Sequence, residues 1–235
     1  MPNPYFQFKQ FTVWHHRTAM KVGTDGVLLG AWADVKNAQA ILDIGTGTGL
    51  IALMLAQRSD AVIDAIEIEK NAYGQACENV GASLWQDRMN VIHTSLQDFK
   101  PQKNYDLIVS NPPYFVQSLK NPSQEKTLAR HNDTLSQEDL LIFAAKYLSE
   151  NGRLAVILPV EQGRTMQEGA NNYSLFCNRV TRVIPCVSAS EKRLLLEFSR
   201  KNEPYIETEL QIETDRRHEY SEDFKQLTQD FYLKH

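Results

Sequence analysis

Cysteine is scarce: Cys77, Cys177 and Cys186 stand far apart in 235 residues, with no C-x-x-C pair and no histidine at ligand spacing. That excludes a disulfide-stapled framework, gives no ground for a metal site, and makes a reducing compartment the expectation. Long apolar runs are missing too; none approaches the roughly 18 residues that a membrane span requires. The opening MPNPYFQFKQ carries Pro and Lys where a signal peptide would be apolar. A soluble cytoplasmic protein is therefore expected, in which the N-x-S/T triplets at Asn132 and Asn172 carry no meaning. Internal repeats and low-complexity tracts are absent. An excess of positive charge is lacking as well, since the net charge is −4.

That charge is unevenly spread. Residues 1–22 carry Lys9, Arg17 and Lys21 with no acid, whereas residues 203–223 carry eight acids against Arg216 and Arg217. An acidic chain of this kind can still present a basic face. The plainer reading is that both ends are simply solvated. Hydrophobic residues at 42% and charged residues at 23% are ordinary for a folded domain with a sizeable core.

Strands and helices alternate along the middle of the chain. AILDI (40–44) reads as a buried strand broken by GTGTG, and LIALMLAQR follows as an apolar-faced helix. AVIDAIEI (61–68) is a second strand, followed by a helix from Lys70 to about Ala82. Further strands are expected at 89–93, 105–110, 153–159, 179–186 and 193–199. Ser136 reads as the N-cap of a helix through Leu148, with Glu138 and Asp139 at its positive end and Asn151-Gly152 as its stop. Such alternation implies a parallel sheet covered by helices on both faces. The last two strands lack a helix pattern between them, which predicts an antiparallel pair. Residues 115–135 form a connection long enough to suggest a functional loop. Three regions follow: an N-terminal segment (1–39), a core (40–200) and a C-terminal extension (201–235) packed on it, with Phe231-Tyr232 in a docked terminal helix. A monomer is favoured, though nothing in the chain fixes the oligomeric state.

Asp43-Ile44-Gly45-Thr46-Gly47-Thr48-Gly49 lies between the first strand and the first helix. Alternating glycines let the backbone turn tightly and approach a ligand with no Cβ in the way. A dinucleotide fingerprint, G-x-G-x-x-G, would need glycine where Leu50 stands. The D-x-G-x-G-x-G pattern instead resembles the S-adenosylmethionine loop of methyltransferases. Glu67, at the end of the second strand, is placed to accept from both ribose hydroxyls. Glu69 is the rival for that role, with Ile68 between them suited to packing on an adenine face. Asp98 follows the third strand and is placed to accept from the cofactor's adenine amine, or else is a solvated loop acid.

Asn111-Pro112-Pro113-Tyr114 follows the fourth strand. An adenine amine or an amide nitrogen is a poor nucleophile because its lone pair is delocalised. An Asn oxygen and a backbone carbonyl, held by prolines, can accept both N–H bonds and strengthen as the nitrogen gains charge. Tyr114 can stack on the target. Placed after a fourth strand and behind the glycine loop, NPPY is similar to the signature of N-methyltransferases acting on planar amines. The stretches Phe11–Val13 and Lys21–Trp32, echoed at Ala129-Arg130-His131 and Leu227–Leu233, resemble one branch of that superfamily over nearly the whole chain. That branch is the valine tRNA adenine-37 N6-methyltransferase family.

The resemblance implies a three-layer, Rossmann-like class I fold with a seven-stranded, mostly parallel sheet. It also implies S-adenosylmethionine as cofactor, tRNA as substrate and N6 of an adenine beside the anticodon as target. Residues 1–39 would then lie over the cofactor, with Thr24 and Asp25 as contact candidates; Asp25 can equally be a helix cap. Gly26 departs from the pattern, since Ala is expected there. Phosphate contacts would fall to Lys9, Arg17, Lys21, Lys120, Lys126 and Arg130, each of which is ordinarily a solvated charge. Four other functions compete, of which DNA adenine methylation is disfavoured because no sizeable target-recognition domain to flip a base from a duplex is found. A release-factor glutamine methyltransferase uses the same tetrapeptide but usually carries a longer N-terminal domain. A nicotinamide oxidoreductase leaves NPPY unexplained, and an RNA-binding module would lack catalysis.

Overall fold

A computed structural model describes residues 3–18, 21–113, 135–216 and 219–234. The alternating segments form one eight-stranded sheet of order β10-β8-β9-β7-β6-β3-β4-β5, preceded by a two-stranded hairpin of β1 (Tyr5–Gln7) and β2 (Thr12–Trp14). β3 (Ala40–Ile44), β4 (Val62–Glu67), β5 (Met89–His93), β6 (Tyr105–Ser110) and β7 (Leu148–Pro159) run parallel. β9 (Arg193–Ser199) is antiparallel to both β7 and β8 (Phe176–Cys186), and β10 (Ile206–Glu213) is parallel to β8. The expected antiparallel element is thus β9, a single strand inserted between two that share the opposite direction.

The period of two along the strands separates two cores. Ile41, Ile63, Leu107 and Val109 face one layer, made by α1 (Thr24–Trp32), α2 (Leu50–Arg58), α3 (Lys70–Gly81) and Phe224 of α6 (Glu222–Thr228). Leu42, Ile66 and Ile108 face the other, made by α4 (Gln137–Tyr147) and α5 (Val160–Gly169). Strands buried on both sides read as continuous apolar runs, which is why AILDI and YDLIV stand out in the sequence. Ser136 caps α4 as expected, in a reciprocal box with Asp139.

Four features differ from the sequence expectation. The sheet has eight strands because acid-rich residues 206–213 form an edge strand rather than an appendage. Their exposed first half, Ile206–Glu209, needs no apolar alternation. β7 begins at Leu148, so Asn151-Gly152 lie within the strand instead of stopping α4. A Cβ at Gly152 would stand 2.7 Å from the Tyr105 carbonyl oxygen, and that close backbone approach is what requires the glycine. α5, which has few apolar residues, and the hairpin, whose strands have three residues each, are not expected from the sequence. The terminal helix is α6; Phe231 and Tyr232 lie in the turn beyond it, with Phe231 buried.

Candidate cofactor and substrate site

All five central parallel strands end on one edge, and the glycine loop leaves β3 there. The Gly45 and Thr46 amides both donate to the Ile66 carbonyl, at 2.9 and 3.0 Å, folding the loop against the end of β4. Gly45, Gly47 and Gly49 have φ of 70°, 59° and 82°, a region open to glycine and strained for other residues. A Cβ on Gly45 or Gly47 would meet nothing within 4 Å, so these two leave an open cradle; Gly49 faces Ala76 of α3.

Asp43 lies behind that cradle and is fully buried. Its Oδ2 accepts from the Thr46 hydroxyl at 2.6 Å and the Ala52 amide at 3.2 Å, joining strand, loop and α2. Burial pushes the carboxyl up to about 7, with nearby Glu67 adding to it and the two hydrogen bonds opposing. Its second oxygen has no partner among the described residues. The residue is therefore placed to hold the loop together from within.

Glu67 and Glu69 separate cleanly. Glu67 accepts from the Gly47 amide at 2.8 Å and the Glu69 amide at 2.9 Å, so its carboxylate sits against the loop. Glu69 instead caps α3, accepting from Asn71 and Ala72, and these bonds hold its carboxyl below the usual range. Ile68 between them is half exposed. Its carbonyl bonds His93 Nε2 at 3.0 Å, and the His93 ring stacks on Tyr73 at 5.0 Å. Asp98 lies in the turn after β5, where it is exposed and accepts from the Ser95 hydroxyl at 2.7 Å.

β6 is the neighbour of β3, with Ser110 opposite Ile44. The Ser110 hydroxyl donates to the Ile44 carbonyl at 2.9 Å, so Asn111 begins about one strand spacing, roughly 4.8 Å, from the start of the glycine loop. Pro112 is buried and Pro113 exposed. Tyr114, Lys120, Lys126, Arg130 and the Ala129-Arg130-His131 echo lie outside the described residues.

The N-terminal arm is stitched to this site by residues that sequence reasoning missed. Asn79 of α3, 1% exposed, accepts from the Trp14 amide and donates to the Trp14 carbonyl, both at 2.9 Å. The Asn79 Nδ2 also donates to the Thr48 carbonyl in the glycine loop at 2.8 Å. Gln75, one turn earlier, accepts from the Arg17 amide. Buried polar residues four apart on one helix face were the available signal. Arg17 itself pairs with Glu78 at 3.4 Å, Lys9 reaches the Gln229 carbonyl, and Lys21 is exposed.

Thr24 opens α1, and Asp25 in its first turn accepts from Arg193 Nε at 2.8 Å instead of capping the helix. Gly26 has a packing reason: its face lies on α2, where an added Cβ would stand 3.0 Å from Leu50 Cδ2. A polar cavity of about 560 Å³, lined by Lys36, Asp106, Arg153 and Glu197 among others, lies at the opposite, amino-end edge of the sheet, away from the loop.

A glycine cradle and an Asn-Pro-Pro turn on adjacent strand ends of a mostly parallel sheet define the methyltransferase class. The family model of the methyltransferase small domain matches residues 18–167. Among solved structures, the chain resembles a predicted O-methyltransferase of Agrobacterium tumefaciens, with TM-score 0.69, 16% identity and coverage of 88% of this chain and 96% of that one. It also resembles a TehB-like SAM-dependent methyltransferase of Corynebacterium glutamicum, with TM-score 0.50, 19% identity and coverage of 78% and 90%. At such identity these likenesses speak for the fold alone. Closer relatives decide the particular family. The tRNA1(Val) (adenine(37)-N6)-methyltransferase of Parabacteroides distasonis is 53% identical over the full length of both chains. That of Trichodesmium erythraeum is also 53% identical, over 98% of each chain. The chain belongs to the tRNA1(Val) (adenine(37)-N6)-methyltransferase family.

Proposed function

We propose that this protein transfers a methyl group from S-adenosylmethionine to N6 of adenine 37 in a valine tRNA. The observation that carries the reading is the meeting of the glycine cradle and Asn111 on neighbouring strand ends, in a chain half identical to those relatives along its whole length. The cradle fits the cofactor: Gly45 and Gly47 leave room that a Cβ would fill, and Glu67 stands beside them. Glu67 retains acceptor capacity for ribose hydroxyls, because a carboxylate offers about four lone-pair sites and two are in use. Ile68 supplies an apolar surface for the adenine, and Asp98 an acceptor for its amine. Residues 1–39 form the cover, with Thr24 and Asp25 at its inner end.

When bound, S-adenosylmethionine supplies an electrophilic methyl group. The Asn111 side-chain oxygen and the Pro112 carbonyl accept the two N–H bonds of the planar amine and orient its nitrogen. They bind more strongly as that nitrogen becomes cationic, so their effect is on the transition state. Tyr114 stacks on the base, a contact worth roughly 1–3 kcal/mol. No strong general base is needed, because the amine proton becomes acidic once the nitrogen has been alkylated.

The test is methyl-labelled S-adenosylmethionine with tRNA from a strain lacking this protein, followed by digestion to nucleosides. Label in N6-methyladenosine at position 37 is expected. Label absent from RNA but present on a release-factor glutamine would replace this reading with the amide one.

A further inference from the structure

A second cavity opens on the same sheet edge, three strands from the glycine loop. Its volume is about 470 Å³, and its lining includes Asp25, Lys192, Arg193, Tyr220 and Tyr232. The strand registers place it. Ser110 of β6 is opposite Val156 of β7, and Pro159 of β7 is opposite Arg193 of β9. Arg193 therefore lies two strand spacings sideways from Ser110 and three residues further out, roughly 10 Å in each direction. The cavity also shares the first turn of α1 with the glycine loop, since Gly26 packs on Leu50 directly after Gly49.

Its chemistry suits a nucleobase better than a bare phosphate. Among the described lining residues, Lys192 and Arg193 are matched by Asp25 and Glu213, so these residues leave no net positive charge to hold an anion alone. Aromatic surface comes from Tyr220, stacked on buried Phe224 at 4.9 Å, and from Tyr232, whose phenol is pushed up to about 12 by burial. Asp25 fixes the Arg193 guanidinium through Nε at 2.8 Å. Aromatic rings and guanidinium planes are what proteins present to unstacked bases of single-stranded RNA loops. The need is also plain: an Asn-Pro-Pro turn reads only a planar amine, which every adenine offers, so choice of one adenine must come from neighbouring nucleotides.

We propose that this cavity receives the base of a nucleotide flanking the target adenine, with Tyr220 as its stacking surface and Lys192 beside its phosphate. The inference rests on the tRNA reading above and adds where sequence context is read. The experiment measures kcat/KM of the full-length protein on valine tRNA transcripts carrying an abasic site immediately 5′ or 3′ of the target. For wild type, one of the two abasic sites lowers kcat/KM by about tenfold or more, in line with loss of a stacked base. Tyr220→Ala shows a similar loss on intact tRNA and becomes indifferent to that abasic site, whereas Tyr220→Phe behaves as wild type. Cofactor affinity stays unchanged in both variants. Equal sensitivity of wild type and Tyr220→Ala to both abasic sites overturns the proposal while leaving the tRNA reading intact. Absence of methyl transfer to any tRNA by wild type overturns both.

Discussion

The carboxylates around the glycine loop divide their work by burial and by partner. Asp43 is sealed behind the loop, Glu67 lies against it, and Glu69 is spent on a helix cap. Asp43 titrates where most carboxylates do not. Its folded pKa of about 7 exceeds the unfolded value of 3.8, so the folded chain holds a proton that the unfolded chain releases between those limits. Its contribution to stability is therefore fullest below about pH 4 and is lost as pH rises through 7. Asp43→Asn should flatten the dependence of urea-unfolding free energy on pH between 5 and 8. An unchanged slope would show that the carboxyl does not titrate there. Asn111 has a different signature. Asn111→Ala should lower kcat by about 100-fold or more, as loss of one oriented transition-state acceptor does, with cofactor affinity in calorimetry near wild type. Wild-type turnover would remove the residue from the mechanism. Both residues stand out in the sequence, because a motif displays its members. The Glu67/Glu69 choice does not, since both acids lie at or just beyond the strand's end, and only the hydrogen bonds separate them.

Elements meet here through small residues and through one amide. Gly26 and Gly30 sit one turn apart on the face that α1 lays on α2. A Cβ at Gly30 would stand 2.7 Å from Met54 Sδ and 2.9 Å from Met54 Cβ, whereas at Gly26 only the movable tip of Leu50 is met. Gly30→Ala should cost up to about 2 kcal/mol in chemical denaturation, because overpacking outweighs the better helix propensity. Gly26→Ala should stay within about 0.5 kcal/mol of wild type or gain slightly. The reverse order would mean that α1 is free to shift. Asn79 joins the arm to the loop by two donations and one acceptance. Asn79→Asp keeps the acceptor and loses both donations. It should weaken cofactor binding by about tenfold, with kcat at saturating cofactor within twofold, since each lost bond to a buried carbonyl costs about 1–3 kcal/mol. A fall in kcat alone would place the residue elsewhere in the mechanism. The polar pair Gln75 and Asn79 on one face of α3 hints at such a clamp, but its partners are 65 and 31 residues away and cannot be read locally.

At the scale of the whole molecule, the eight-stranded sheet carries the loop, the Asn-Pro-Pro turn and the second cavity in sequence along its carboxyl edge. Its net charge of −4 leaves phosphate contacts to local patches. Lys9 and Arg17 are drawn into intramolecular contacts, while Lys21 is exposed. Lys120→Glu with Lys126→Glu should weaken tRNA binding and reduce the salt slope by about 1 to 2, leaving cofactor binding unchanged. An unaltered slope at low salt would clear the loop of that role. The sequence by itself determined the parallel core, the order of its central strands' motifs and the reaction chemistry. These rest on local patterns: apolar runs of strand length, glycines that adopt positive φ without strain, and a proline-locked tetrapeptide. Only the tertiary structure decided that acid-rich residues 206–213 complete the sheet, that Asp25 answers Arg193 and that Asn79 ties the arm to the loop. Each of those depends on partners distant in the chain, and long-range pairing leaves no periodicity behind.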